Sequence, residues 1–223
     1  MSHELKTPLT VIDSYNQLLC DGRLGKLSKK QKDALCTTKE SIDHLKSIMD
    51  ELLDIKKYEV GKPRFFFEEI DVVNLLKDNT AKFGATLEQI GGSVSVDNKI
   101  KKLNISIDKK KMSQVFMNLL SNSIKYRKQD VPLKIKVTIN TLEKDAIITF
   151  SDNGLGIPKK DQAMIFKRFY QVEKIATKSV EGVGLGLAIV SEIIKYHGGR
   201  IEAKGKLGLG TDMIITLPIK KRK

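Results

Sequence analysis

Asp108-Lys-Lys-Lys-Met-Ser-Gln-Val-Phe-Met-Asn-Leu-Leu-Ser-Asn-Ser-Ile-Lys-Tyr126 reads as one helix with two unlike faces. Asp108 is placed to cap its start, and Met112, Val115, Phe116, Leu119 and Leu120 recur at helical spacing to form an apolar stripe. Off that stripe Asn118 and Asn122 lie four residues apart on one face, with Lys125 and Tyr126 a turn beyond. Amide oxygens can complete the oxygen shell of a Mg²⁺ ion that leans on substrate phosphates, and a lysine adds a point charge for the same anion. Two asparagines alone fit a solvated polar face better, so the neighbouring sequence has to decide.

Working outward, the apolar stripe needs a sheet to cover. Lys134–Thr141, with alternating Ile135, Val137 and Ile139, and Asp145–Ser151 read as a β-hairpin. Upstream, Phe65–Ile70 reads as a strand and Val72–Ile90 as one helix stopped by Gly91-Gly92. Short strands follow at Ser93–Asp97 and Leu103–Ile107. Downstream, residues 153–181 are polar and irregular apart from a helical stretch near Gln162–Phe169. Loops that long in a compact domain are usually functional. A helix over Leu185–His197 ends at Gly198-Gly199, and two strands run to Pro218. The expectation is an α+β layer with helices on one face of a mixed sheet.

Three glycine-bearing segments fall in this part: Asp-Asn-Gly-Leu-Gly-Ile-Pro at 152–158, Gly-Val-Gly-Leu-Gly-Leu at 182–187 and Gly-Leu-Gly-Thr at 208–211. Glycine lets backbone N–H groups approach a phosphate without Cβ interference, and a helix start favours negative charge. The segment at 182–187 opens the helix of 185–197. It is not a dinucleotide fingerprint, because a polar loop precedes it instead of a strand.

The first sixty residues differ. Leu5, Leu9, Ile12, Tyr15 and Leu19 line one helical face; Gly22 and Gly25 interrupt; Ser28 can cap a second helix. In that helix Leu35, Thr38, Ile42, Leu45, Met49 and Leu52 alternate steps of three and four, a heptad seam with one polar intruder. A hairpin this small cannot bury a stable core alone, so pairing with a second copy into a four-helix bundle is expected. Gly61-Lys62-Pro63 marks the boundary, giving domains 1–62 and 63–223.

Charge follows the same division. The 223-residue chain carries a net +13, of which residues 1–62 contribute +1 (11 basic, 10 acidic) and residues 63–223 contribute +12 (29 basic, 17 acidic). The excess points to an anionic partner for the second part. At 40% hydrophobic residues the composition excludes disordered and collagen-like classes. Cys20 and Cys36 lack metal-ligand spacing and read as thiols of a cytosolic protein, and no secretory signal opens the chain.

Asn-Leu-Leu-Ser-Asn-Ser-Ile-Lys-Tyr, Asp-Asn-Gly-Leu-Gly-Ile-Pro, Ile-Phe-Lys-Arg-Phe-Tyr and Gly-Val-Gly-Leu-Gly-Leu-Ala-Ile-Val, in this order, resemble the ATP-binding domain of bacterial sensor histidine kinases. Ser-His-Glu-Leu-Lys-Thr-Pro-Leu-Thr at 2–10 resembles the phosphoacceptor box of the same family. The resemblance spans essentially the whole chain. It implies a dimerising helical hairpin joined to an α/β sandwich ATPase of the type shared by histidine kinases, gyrase, Hsp90 and MutL.

The roles it implies are specific. His3 would be the phosphoacceptor, Glu4 the base that orients and activates its ring, and Thr7 a residue that positions water for dephosphorylating a response regulator. Asp152 would accept a hydrogen bond from the adenine amino group, with Gly154 and Gly156 beside it. Asn122 with Asn118 would hold Mg²⁺, and Lys125, Tyr126 and Arg168 would approach the phosphates of ATP. Gly182, Gly184 and Gly186, next to Leu187, would let the polar loop fold over the triphosphate, and Phe166 and Phe169 would anchor that loop. Lys6 stands where Arg is commoner in the family, and Gln171 where many members have a second loop Arg. Only two residues precede His3, so the chain is expected to be the cytoplasmic part of a longer sensor.

The activity implied is autophosphorylation on His3 followed by transfer to a receiver-domain aspartate of a response regulator. The expected assembly is a homodimer, with no nucleic-acid partner and no membrane contact by these residues. A hydrolase of the gyrase or Hsp90 kind would need a water-activating glutamate on the asparagine helix, and no carboxylate lies between Gln114 and Arg127. His44 and His197 read as bystanders, His197 as a helix C-cap.

Overall fold

The computed structural model describes residues 2–59, 63–97, 99–172 and 183–220, with the backbone alone for residues 2–5, 57 and 59. The chain divides into two compact units, Met1–Lys62 and Pro63–Lys223.

The first unit is an antiparallel pair of helices, α1 (Ser2–Cys20) and α2 (Lys29–Glu59). α1 runs on through Pro8 and ends where Gly22 adopts φ +71°, a conformation that costs glycine little. α2 begins with a reciprocal cap: the Ser28 N–H donates to Gln31 Oε1 at 2.8 Å, and the Gln31 N–H donates to Ser28 Oγ at 3.3 Å.

Ion pairs bridge the two helices beside the buried Leu9 and Ile42. Asp13 receives Lys39 Nζ at 2.8 Å and also Lys46 Nζ, while Lys6 pairs with Asp50 at 2.5 Å. Hydrogen bonds from Lys39 and Lys46 hold the Asp13 carboxyl below its usual range. Of the residues expected to line the seam, Leu9 and Ile42 are buried. Ile12, Tyr15, Leu45 and Leu52 remain exposed within the single chain, as does Val11. The hairpin thus packs on a partly polar seam and turns apolar side chains outward.

The second unit is a two-layer α/β structure. A mixed five-stranded sheet runs in the order β2 (Ser93–Val96), β4 (Lys134–Leu142), β5 (Asp145–Asp152), β7 (Gly210–Pro218), β6 (Arg200–Lys206). β2 and β4 are parallel, and the other pairs are antiparallel. Alternation sorts the rows. Val137, Phe150, Met213 and Ala203 lie side by side and buried; so do Ile139, Ile148 and Ile215. Helices α3 (Val72–Ala81), α5 (Lys109–Lys125) and α6 (Gly186–Tyr196) contribute Leu76, Phe116, Leu120, Ile189 and Ile193 to the core. The stripe read from the sequence of α5 is wholly buried: Met112, Val115, Phe116, Leu119 and Leu120.

Three local expectations are corrected. The expected helix 72–90 is two helices, α3 and α4 (Gly84–Gln89), parted at Lys82 and Phe83. Asn79 and Thr80 bond their side chains back to the Leu75 and Lys77 carbonyls just before the break, where such residues weaken a helix. The helical stretch at 162–169 is a single 3₁₀ turn, Met164–Phe166, preceded by another at Lys159–Asp161. The expected strand 65–70 pairs only over β1 (Glu68–Asp71), against β3 (Asn104–Ile107).

Phe65–Phe67 stay out of that ladder because they belong to a different junction. Asp108 caps α5 by accepting the Lys111 N–H on Oδ1 at 3.0 Å, and its Oδ2 accepts the Phe66 N–H at 2.8 Å. Its own N–H donates to His197 Nε2 at 3.0 Å. Nε2 must therefore be unprotonated, so Nδ1 carries the hydrogen and donates to the Ile193 carbonyl at 2.8 Å. Phe65 and Phe67 pack edge-on to the ring, and Phe65 stacks on Tyr196. His197 is the C-cap residue of α6 as expected, but it is a buried neutral knot, and not a cation answering the helix dipole.

Burial lowers the His197 pKa from its ordinary 6.5. The folded state thus binds this proton less readily than the unfolded chain. Its contribution to stability is complete above pH 6.5 and is lost as pH falls through the folded value. Urea titrations at pH 7.5 and 5.5 should show wild-type stability declining toward acid. His197→Gln should cost about 1–3 kcal/mol at pH 7.5 and flatten that part of the decline.

Candidate functional site

The end of the sheet where β5 finishes and β7 begins gathers polar groups from three elements. Asp152 closes β5 in the inward-facing row shared with Ile135, Thr211 and Gly205, so its carboxylate points to the helix side. Oδ1 accepts the Gly154 N–H at 2.9 Å and the Thr211 N–H at 3.2 Å. Oδ2 accepts the Ser123 hydroxyl, on α5, at 3.1 Å. Burial raises the Asp152 pKa, and it outweighs the lowering by the Gly154, Ser123 and Thr211 bonds; neighbouring Asp212 adds to the rise. A carboxylate oxygen can accept two hydrogen bonds. Among the described residues Oδ1 uses both positions and Oδ2 uses one, which leaves an acceptor for one further donor.

That arrangement needs main chains closer than side chains permit. A Cβ on Gly156, at φ +72°, would lie 2.1 Å from the Lys206 carbonyl oxygen. One on Gly210 would lie 2.0 Å from that of Asp152, and one on Gly154 would lie 2.7 Å from that of Tyr126. Three chain segments converge on the carboxylate because three glycines let them.

Along α5, Asn118 and Asn122 are half-buried, and Asn118 Nδ2 donates to the Gly186 carbonyl at 3.4 Å. This ties the asparagine face to the first turn of α6, where Leu187 is half-buried. Lys125 Nζ sits 5.4 Å from the ring centroid of Tyr126, the C-cap of α5, whose pKa burial raises. The two amide oxygens make a thin donor set for a cation. Without a carboxylate they fit Mg²⁺ only where a substrate's phosphates and water fill the remaining positions. Among the described residues no cluster of three or more His, Cys, Asp or Glu could hold a metal.

The Phe169 N–H donates to the Gly184 carbonyl at 3.0 Å, Gly184 takes φ +76°, and a Cβ there would meet the Tyr170 carbonyl oxygen at 2.8 Å. Phe169, expected to anchor the loop, is 62% exposed with φ +61°; the main chain makes the attachment instead. Phe166 is half-buried and Arg168 exposed. Tyr170 donates its hydroxyl to buried Asp161 at 2.7 Å. Gly182 lies outside the described residues. His3 and Glu4 occupy the first turn of α1, and Thr7 lies a turn beyond on an exposed position.

Two members of the Asp152 cluster were missed from sequence, Ser123 and Thr211. Each stands next to a residue that drew notice, Asn122 and Gly210, but their shared target emerges only from sheet register and helix placement.

Comparisons with known proteins agree over the whole length. Residues 1–61 match a family described as the His Kinase A (phospho-acceptor) domain, and residues 107–221 match the histidine kinase-, DNA gyrase B-, and HSP90-like ATPase family. The chain is 34% identical to sensor histidine kinase WalK of Bacillus subtilis over 99% of its own length and 36% of that protein. It therefore spans about a third of that relative's length. Among solved structures it resembles full-length ShkA in complex with AMPPNP, with TM-score 0.80, 25% identity, and coverage of 99% of this chain and 45% of that one. Acinetobacter baumannii AdeS shares the fold, with TM-score 0.68, 24% identity, and coverage of 97% and 98%.

The glycine geometry yields a paired expectation. Gly156→Ala adds a clash with Lys206 to left-handed strain and should destabilise by about 2–4 kcal/mol. Gly208→Ala, at φ +83° with nothing within 4 Å, should cost only the strain, about 1–2 kcal/mol. Thermal and urea unfolding of the two variants side by side will measure the difference.

Proposed function

The chain belongs to the sensor histidine kinases, and from that premise we propose that it binds ATP at Asp152, phosphorylates itself on His3 and passes the phosphoryl group to an aspartate of a response-regulator receiver domain. The observation that carries the nucleotide part is the Asp152 carboxylate, half-buried and holding one acceptor position open. An adenine amino group is a donor suited to that position. Asn118, Asn122 and Lys125, one face further along α5, then lie on the helix that would reach the phosphates.

Mg²⁺, held by Asn122 with Asn118 and by the nucleotide's own oxygens, would supply charge neutralisation on the phosphates. The remaining work belongs to the chain. Tyr126 and Arg168 would add to the phosphate contacts. Gly184 and Gly186 would allow backbone N–H groups to approach them, since α6 starts there and its dipole favours an anion. Phosphoryl transfer depends mostly on positioning and charge. A ring nitrogen of uncharged His3 forms a bond to the γ-phosphorus while the bond from that phosphorus to the leaving oxygen of ADP breaks. Glu4 would orient the ring and accept the imidazole proton. Thr7, four residues from His3, would position water when the regulator is dephosphorylated.

Domain roles follow: 1–62 as the phosphoacceptor and dimerisation hairpin, and 63–223 as the ATP-binding unit. The exposed Val11, Ile12, Tyr15, Leu45 and Leu52 support a homodimer, since a second hairpin would cover them and complete a four-helix bundle. Among the described residues no helix is long and apolar enough to cross a membrane, and a cytoplasmic position is proposed for them.

With γ-labelled ATP and Mg²⁺ the protein should acquire acid-labile, base-stable label. His3→Gln should abolish the label while retaining nucleotide affinity. Asp152→Asn should weaken binding by about 1.5–3 kcal/mol, roughly 10- to 100-fold, as read by calorimetry. Equal labelling of the His3→Gln variant would overturn the phosphoacceptor assignment. Mixing it with Asp152→Asn subunits would show whether label crosses between copies.

A further inference from the structure

The turn between β6 and β7 carries side chains that the nucleotide reading does not use. Its conformation needs glycine at Gly208 (φ +83°) and Gly210 (φ +104°), which leaves Leu207 and Leu209 as the projecting residues. They are 47% and 71% exposed. A solvated turn is normally built from polar residues and glycine, so two leucines at one tip call for a reason.

The backbone of the tip is pinned to the neighbouring segments. The Gly208 N–H donates to the Leu155 carbonyl at 2.7 Å and the Leu209 N–H to that of Lys206 at 2.9 Å. Lys128 Nζ donates to the Gly208 carbonyl at 2.5 Å. These bonds fix the backbone with both leucine side chains exposed.

Around the tip the charge is positive. Lys204 and Lys206 are exposed on β6. Gln162 Nε2 donates to the Gly205 carbonyl at 2.8 Å, which brings the 3₁₀ turn bearing exposed Lys159 and Lys160 against the same strand. With Lys128 this makes five cations. Exposed carboxylates nearby are Asp212, opposite Lys204, Glu202, which Arg200 engages, and Asp130, two residues from Lys128.

We infer that the β6–β7 tip is a peripheral contact for an anionic lipid surface. Leu207 and Leu209 enter the boundary between headgroups and acyl chains, and the lysines meet the phosphate headgroups. An apolar anchor this small holds only weakly alone, so it needs the accompanying basic residues; the tip presents both. Nucleic acid fits less well, because the tip offers no aromatic ring for stacking and would leave the leucines in water. The contact is independent of the nucleotide reading, and it departs from the sequence-based expectation of no membrane contact.

The test is sedimentation of the full chain with vesicles of phosphatidylcholine alone or mixed with phosphatidylglycerol. The protein should pellet with the mixed vesicles only and be released at high salt. Leu207→Ser with Leu209→Ser should reduce binding by roughly tenfold. The chain contains no tryptophan, so Leu209→Trp supplies a local reporter that keeps the tip apolar. Its emission should shift to the blue on anionic vesicles. Wild-type protein left in the supernatant, undiminished binding by the serine variant, or unshifted tryptophan emission would each overturn the inference. So would a duplex oligonucleotide that binds wild type and serine variant equally and strips the protein from vesicles.

Discussion

Everything at the site end of the second unit hangs on one desolvated carboxylate. Asp152 is half-buried against its preference for water, and hydrogen bonds from Ser123, Gly154 and Thr211 offset part of that cost. The three donors come from a helix, a loop and a neighbouring strand. Holding the carboxylate therefore fixes α5 against β5 and β7. Gly154, Gly156 and Gly210 are the steric condition for it, since a side chain at any of them would push a donor or its strand away. A binding group and a structural tie are here the same atoms.

Much of this was legible in the sequence, for identifiable reasons. The buried stripe of α5, the caps at Ser28 and Asp108 and the β4–β5 hairpin rest on local periodicity and side-chain chemistry, which one segment contains in full. Asn118, Asn122, Asp152 and the glycine segments could be picked out for the same reason, and the fold brings Asp152 close to α5 through Ser123. What stayed hidden depended on distant partners. Phe65–Phe67 look like a strand until Asp108 takes the Phe66 N–H. Thr211 looks like an ordinary strand residue until β7 lies beside β5. Phe169 was misjudged because an aromatic near a loop suggests burial, whereas here the backbone makes the attachment.

The hairpin shows the opposite economy. Its seam carries the partly exposed Asp13, Lys39 and Lys46, and it buries Asn16 with an Oδ1 that finds no hydrogen-bond partner among the described residues. A buried polar residue such as Asn16 is poor glue but can discriminate between registers, because a slip changes what it meets. Apolar surface is left on the outside, where it can serve association between chains.

The junction at Asp108 also has a mechanical meaning. The chain entering the second unit after residue 63 meets its first firm attachment there: the Phe66 N–H on a carboxylate that simultaneously starts α5, on a residue whose own N–H is bound to the end of α6. Along the sequence this attachment precedes the first sheet hydrogen bonds of β1, so the ends of two helices hold the entering segment before the sheet does. Those helices lead, at their other ends, to the asparagines and to Gly186. The knot therefore acts as a bearing, sharing strain between the two elements that frame the site.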